Sequence, residues 1–134
     1  MAFEFYQSMI KPNAPAMIWK PATTSETYKV GETLKLSSAG KLTKASGTDE
    51  PKFVCSADYA APASNAEKIP VTEINPGQIY RVPLQASGAS LKVGDKVTIH
   101  TDGLQVTATT TSGVAEIVKI EGTAVGDYVQ VHLA

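Results

Sequence analysis

The sequence predicts an all-β fold, and the clearest sign is one short phrase that occurs three times. A valine, a glycine and an acidic residue are followed by alternating apolar residues, beginning at Val30, Val93 and Val125. Glycine can adopt positive φ, the acid can accept hydrogen bonds from turn amides, and the alternation is typical of half-buried strands. Each copy is therefore expected to start a β-strand.

Turn residues separate the predicted strands. Pro76-Gly77 is the pair that a type II turn requires, so strands 69–74 and 79–84 are predicted to be adjacent. Asp102-Gly103 predicts a hairpin that joins strands 96–101 and 104–108. The other predicted strands are 34–36, 41–45, 52–55, 115–121 and 128–133. Six glycines are assigned to the turns: Gly31, Gly40, Gly77, Gly94, Gly103 and Gly126.

The turns recur at a constant interval. The spacing from Gly31 to Gly94 equals the spacing from Gly40 to Gly103, and the strand at Phe53 recurs near Ile117. This predicts two strand–turn–strand–loop–strand halves with the Pro-Gly turn between them, although any β-rich chain can reuse such turns. The expected architecture is a small β-barrel or β-sandwich-like domain with an internal repeat.

Residues 1–27 differ from the rest of the chain. They are rich in large apolar side chains, but Pro12, Pro15 and Pro21 interrupt them. Prolines at this spacing exclude a continuous helix and disfavour a central strand. We interpret residues 1–27 as an extended N-terminal arm and residues 28–134 as a β-rich domain. The arm either lies on a partner or packs on its own domain as an edge strand.

Composition and charge, together with the lack of membrane or signal-peptide patterns, argue against several classes of protein. The 134 residues suit one domain, and a formal charge of −1 with scattered basic residues argues against nucleic-acid binding. No apolar run is long enough to predict a membrane span. The beginning of the chain lacks the pattern of a signal peptide, so synthesis and folding in the cytoplasm are expected. Cys55 lies in an apolar run and is predicted to be buried and unreactive.

The polar residues suggest no catalytic site. His100 and His132 are predicted to be solvated on outward strand faces, with no carboxylate sharing their alternation. Asp95 and Asp127 fit turns better than proton transfer. Nucleophile-elbow, phosphate-loop and calcium-loop motifs are missing from the sequence. We therefore predict that the chain is not an enzyme and uses no metal or cofactor.

Four segments, taken together, resemble a known family. They are 28–55, 69–72 (Ile-Pro-Val-Thr), 93–97 (Val-Gly-Asp-Lys-Val) and 126–131 (Gly-Asp-Tyr-Val-Gln-Val). In order and spacing they are similar to head decoration, or cement, proteins of tailed bacteriophages. The resemblance covers most of residues 28–134 and rests on the order of weak motifs, which are mainly turns. Residues 1–27 have no clear counterpart.

The resemblance implies a structural virion protein, made in the host cytoplasm, that stabilises the expanded head. It would bind the capsid exterior, bridge subunits of the major capsid protein, and act as a homotrimer. In this hypothesis Ala2 to Met9 supply main-chain pairing, and apolar anchors follow. The expected capsid-binding residues are Ala2, Phe3, Glu4, Phe5, Tyr6, Met9, Ile10, Met17, Ile18 and Trp19. The alternatives are a glycan- or receptor-binding module and a minor head or tail subunit.

Overall fold

The computed structural model describes residues 1–8 and 16–134, which form twelve β-strands. No helix occurs in these two ranges, and therefore none that could cross a membrane. The prediction of an all-β fold is confirmed. The strands are β1 (Glu4–Ser8), β2 (Met17–Pro21), β3 (Thr27–Tyr28), β4 (Thr33–Leu36), β5 (Leu42–Lys44), β6 (Phe53–Cys55), β7 (Tyr59–Ala60), β8 (Lys68–Glu73), β9 (Gln78–Pro83), β10 (Lys96–Val97), β11 (Ala115–Ile120) and β12 (Tyr128–His132).

Two five-stranded antiparallel sheets contain most of the strands. The first sheet has the order β2-β8-β6-β4-β5, and the second has the order β1-β9-β12-β11-β10. Strands β3 and β7 form a small third sheet. None of the described sheets closes into a barrel. Single parallel bridges, Ala22–Leu42 in the first half and Leu84–Val106 in the second, draw the two sides of each half together.

The two halves of the chain repeat one pattern of main-chain contacts. The Gly31 N–H donates to Cys55 O at 2.8 Å, and the Gly94 N–H donates to Ile117 O at the same distance. Strands β2, β4, β6 and β8 correspond to β9, β10, β11 and β12 in sheet order. The predicted internal repeat is therefore present in the structure. It includes β2, so the division predicted at residue 28 does not separate an arm from the strands of the sheet.

The Pro-Gly turn connects two sheets. Gly77 has the positive φ of 84° that such a turn needs, and the Asn75 N–H donates to the Gln78 side chain at 3.0 Å. The predicted pairing of the flanking strands is wrong, because β8 belongs to the first sheet and β9 to the second. Each of these strands already has neighbours on both sides, so neither has an edge left for the other.

The Asp-Gly hairpin has less regular strand structure than predicted, and its tip binds the other half of the molecule. Between its two arms there is one bridge, Ile99–Val106, beside main-chain hydrogen bonds of Thr98 and His100, and β10 at its start pairs with β11 instead. The carbonyl of Gly103 accepts hydrogen bonds from the Thr33 N–H at 2.9 Å and the Thr33 hydroxyl at 3.2 Å. Ile99 and Gly47 also exchange two main-chain hydrogen bonds, at 2.7 and 3.0 Å. These bonds join the two halves directly.

Positive φ values occur at all six glycines that were assigned to turns. They are Gly31 (83°), Gly40 (74°), Gly77 (84°), Gly94 (98°), Gly103 (70°) and Gly126 (89°).

Apolar side chains form two buried clusters. The larger lies under the second sheet and includes Tyr80, Ile117 and Val131, while the smaller lies under the first and includes Tyr28, Leu34 and Leu42. Val54 of β6 in the first sheet belongs to the larger cluster. Side chains from both halves therefore contribute to one core, which opposes their separation.

The described part of the leading segment packs on its own domain. Strand β1 pairs with β9 at the edge of the second sheet, and β2 pairs with β8 at the edge of the first. Of the two arrangements that the sequence left open, these residues adopt the edge-strand one. Phe3 is 3% exposed within the larger core, and its N–H donates to Gly31 O at 3.0 Å. Its side chain therefore stabilises this fold and is not a surface contact.

Glu32 is a buried acid at the junction of the two halves. Its side chain is close to the Gly103 tip, and its Oε1 has no hydrogen-bond partner among the described residues. Burial raises the pKa of Glu32 to about 7, against the opposing effect of the nearby Lys44 ammonium. The fold consequently favours the protonated acid.

We expect stability to fall as pH rises from about 4.5 to about 7, the interval between the ordinary and raised pKa values of Glu32. In this interval the unfolded chain releases the proton while the folded chain retains it; above it, both are ionised and the loss is complete. Glu32→Gln should flatten this dependence and raise the free energy of unfolding at pH 8 by roughly 1–3 kcal/mol. Urea unfolding at pH 5 and pH 8 measures the effect, with exposed Glu73→Gln as control. An unchanged pH slope in Glu32→Gln would contradict this account.

The attachment of the N-terminus predicts unequal effects of two glycine substitutions. Gly31 and Gly40 both have positive φ, but a Cβ on Gly31 would overlap Ala2, whereas one on Gly40 would meet nothing within 4 Å. Gly31→Ala should cost roughly 3 kcal/mol and make the N-terminal residues sensitive to protease, whereas Gly40→Ala should cost roughly 1 kcal/mol. Thermal unfolding and limited proteolysis test this, and equal losses in the two variants would refute it.

Candidate interaction surface

The outer edge of β2 presents unpaired main-chain groups. The Ala16 carbonyl accepts a hydrogen bond from β8 at 3.0 Å, and the Ala22 N–H donates to the residue before β8 at 3.2 Å. In an antiparallel strand, the main-chain N–H and C=O groups of every second residue point to the same neighbouring strand. The main-chain groups of the even-numbered residues from 16 to 22 therefore point to β8. Those of Met17 and Trp19 point the other way, to the open side of β2. Among the described residues no strand pairs with this edge.

Two large apolar side chains lie on one face of the same strand. Met17 is 62% exposed and Trp19 is 61% exposed, whereas Ile18 between them packs against the smaller core. Their cross-strand neighbours on β8 are Thr72 and Pro70, which are half-buried. Exposed apolar side chains beside unpaired main-chain groups are typical of a surface that is covered by a partner.

The internal repeat allows Trp19 to be compared with the residue at the equivalent position of the second sheet. Its equivalent in the second sheet is Arg81, since both follow the same pairing pattern on their strands. Arg81 Nε lies 2.9 Å from a Glu121 carboxylate oxygen, and its guanidinium stacks 3.9 Å from the centre of the Tyr128 ring. The hydrogen bond from Arg81 lowers the pKa of Glu121. The fold therefore accepts a well-paired polar residue at this position and does not require an exposed indole.

Aromatic residues of β1 expose apolar side chains on the second sheet. The Phe5 ring meets the buried Tyr80 ring edge-on, with centroids 6.1 Å apart, and Tyr6 is 50% exposed. Glu4 is exposed and lies opposite Arg81. Met9 and Ile10, also expected to contact the capsid, lie outside the described residues. We use the term leading edges for β1 and β2 together.

Ionisable groups meet in a cleft of about 380 Å³ near the C-terminus. It contains Lys96, Glu116 and His132, with His132 Nδ1 3.5 Å from a Glu116 carboxylate oxygen. The sequence pattern predicted no carboxylate beside His132, and that expectation is wrong because β11 and β12 bring Glu116 and His132 into register. Within residues 1–8 and 16–134, no three His, Cys, Asp or Glu side chains are arranged to hold a metal ion.

Sequence patterns gave little indication of two surface features, the unpaired edge of β2 and the exposure of three valines. The exposure of Met17 and Trp19 follows from alternation in β2, but the unpaired edge depends on sheet order. The first valine of each repeated phrase is also exposed: Val30 (52%), Val93 (64%) and Val125 (67%). Because these valines precede the turn glycines, they lie outside the buried alternation that the phrase predicts.

Comparison with known proteins gives a likeness of fold. Neither protein-family models nor curated protein sequences match the chain. Among solved structures, the head fiber gp8.5 N base of bacteriophage phi29 superposes with a TM-score of 0.57 at 16% sequence identity. The alignment covers 89% of this chain and 95% of that protein. The similarity therefore extends over both halves and is one of fold.

The buried cysteine predicts an unreactive thiol. Cys55 lies in the smaller core, its Sγ donates to Ala57 O at 3.0 Å, and burial raises its pKa. We expect a thiol-specific chromogenic reagent to label the native chain at least about 100-fold more slowly than the urea-unfolded chain, since the thiolate is the reactive form. Rapid labelling of the native chain would show that Cys55 is accessible, contrary to this structure.

Proposed function

We propose that this chain is a structural protein of a bacteriophage head, bound to the outer capsid surface, where it bridges capsid subunits and stabilises the expanded shell. The observation that carries the proposal is the shared fold with the phi29 head fiber base over almost all of both chains. The resemblance of residues 28–134 to decoration proteins, found independently in the sequence, supports the same class of role.

The leading edges support attachment through a protein surface. They combine outward main-chain groups on β2 with exposed Met17, Trp19 and Tyr6. Edge strands and exposed aromatic side chains are common elements of protein interfaces. A ligand that binds only the expanded lattice stabilises that lattice by mass action, so a moderate affinity multiplied over many copies is sufficient.

The proposed partner is the major capsid protein, and the proposed assembly is a homotrimer on the virion exterior. The role requires neither a cofactor nor catalysis, and we propose none. In this proposal the side-chain contact between His132 and Glu116 helps to hold β11 against β12 and has modest energetic value.

A second candidate is a base that attaches a longer fibre to the head, which the description of the phi29 protein as a fiber base favours. Decoration requires enough copies to cover the shell, whereas a fibre base carries additional protein on its outer side. Quantitative mass spectrometry of purified virions and imaging of their surface distinguish the two roles.

We expect the purified chain to co-sediment with expanded heads that lack it, and to bind unexpanded heads at least about tenfold more weakly. Heads with bound protein should release DNA at a higher temperature than bare heads, because binding adds its free energy to the expanded state. A dye-release melting curve with and without the chain measures this shift.

Point variants are the appropriate controls, because deleting residues 2–19 would remove Phe3 from the core and most of β2 from its sheet. Val93→Ser changes an exposed valine outside the leading edges and should bind as the parent does. The proposal fails if the folded parent chain binds neither form of the head.

A further inference from the structure

The two halves treat equivalent strand edges differently. In the second sheet the edge of β9 is covered by β1, which adds to it as an antiparallel strand. In the first sheet the equivalent strand is β2, and no described strand pairs with its outer edge at Met17 and Trp19; just beyond the end of β2, Ala22 forms a single bridge with Leu42. The outward main-chain groups of Met17 and Trp19 occupy the positions that Ile79 and Arg81 occupy opposite β1. The pairing of β1 with β9 therefore indicates how an additional strand would pair with β2.

We propose that the outer edge of β2 accepts an extended antiparallel strand from a subunit of the head shell, in the position that β1 occupies beside β9. This inference rests on the proposed function for the identity of the partner, and on the internal repeat for the mode of binding. Strand addition of this kind obtains affinity from main-chain hydrogen bonds and selectivity from alternate side chains.

The side chains of β2 define the chemistry of the added strand. Opposite Arg81, β1 places the acid Glu4. Opposite Trp19, the equivalent residue would face an uncharged indole, so an apolar or aromatic side chain is favoured. A second apolar side chain two positions along the strand would face Met17. Pro21 has no N–H, which limits the added ladder to the outward groups of Met17 and Trp19.

Strand β1 of a second copy is a poor occupant. Its Phe3 is buried in the larger core, and the Phe3 N–H bonds Gly31, so releasing β1 would expose core surface and leave β9 unpaired. Glu4 would also exchange its position opposite Arg81 for one opposite Trp19. The sequence between the leading edges contains Pro12 and Pro15, which cannot donate main-chain hydrogen bonds to a ladder.

Two substitutions at Met17 separate the main chain from the side chain. Met17→Pro removes an outward N–H without touching a bond to β8, and proline is tolerated on edge strands. Met17→Ala shortens the side chain and keeps the N–H. We expect Met17→Pro to weaken head binding about tenfold more than Met17→Ala, because it leaves a carbonyl of the added strand without its donor. Trp19→Arg, which copies the equivalent residue of the second sheet, should weaken binding without lowering the melting temperature.

A peptide tests the edge without heads. The probe is the peptide of residues 2–8 with Glu4→Val, and the control is the same peptide with Glu4 retained. Trp19 is the chain's single tryptophan and neither peptide contains one, so a blue shift in emission and protection from acrylamide report coverage of this strand. The Glu4→Val peptide should produce both effects with the parent chain, and neither with Met17→Pro.

The outcomes separate the inference from the proposed function. If the parent binds heads and all three variants bind equally, the inference is overturned and the proposed function stands. If the parent does not bind heads but the peptide protects Trp19 as expected, the strand-accepting edge stands and the proposed function fails. Trp19 that is already protected from acrylamide in the free monomer, or a dimer in sedimentation that Met17→Pro abolishes, would overturn the inference.

Discussion

Antiparallel pairing between β1 and β9 is the interaction that attaches the N-terminal residues to the rest of the molecule. It satisfies the main-chain groups of β9, brings Phe3 into the larger core and places the N-terminus against Gly31. Because a sheet edge exposes unpaired N–H and C=O groups, every edge must be covered, protected or used. In the second sheet β1 covers the edge of β9, whereas in the first sheet the equivalent strand β2 is itself the edge strand.

The two repeated halves are joined by main-chain hydrogen bonds and by a buried side chain. Two five-stranded sheets, each over its own cluster of buried side chains, are joined through the Gly103 tip and through Val54, which belongs to the larger cluster. Glu32 lies at this junction as a buried acid beside the Gly103 tip. A joint of this kind suits a protein whose proposed role is mechanical, because force on one sheet passes through main-chain hydrogen bonds to the other.

Sequence patterns predicted local structure well and strand partners poorly. The Gly31 and Gly94 turns, the repeat and the buried Cys55 were all readable, because turn chemistry and alternation are properties of a few neighbouring residues. The Pro-Gly turn between β8 and β9 was readable as a turn but not as a change of sheet. The Glu116–His132 pair was missed for the same reason, since register between distant strands leaves no local mark.

The fold class, the turn positions, the duplication and the unusual apolar character of the first residues all follow from patterns along the chain. The burial of Phe3, the membership of β2 in a sheet, and the position of Met17 and Trp19 on an edge that no other described strand covers are known only from the three-dimensional arrangement. Burial and edge position depend on which strands become neighbours. That choice is made by the free energy of the whole packed arrangement, not by any single segment.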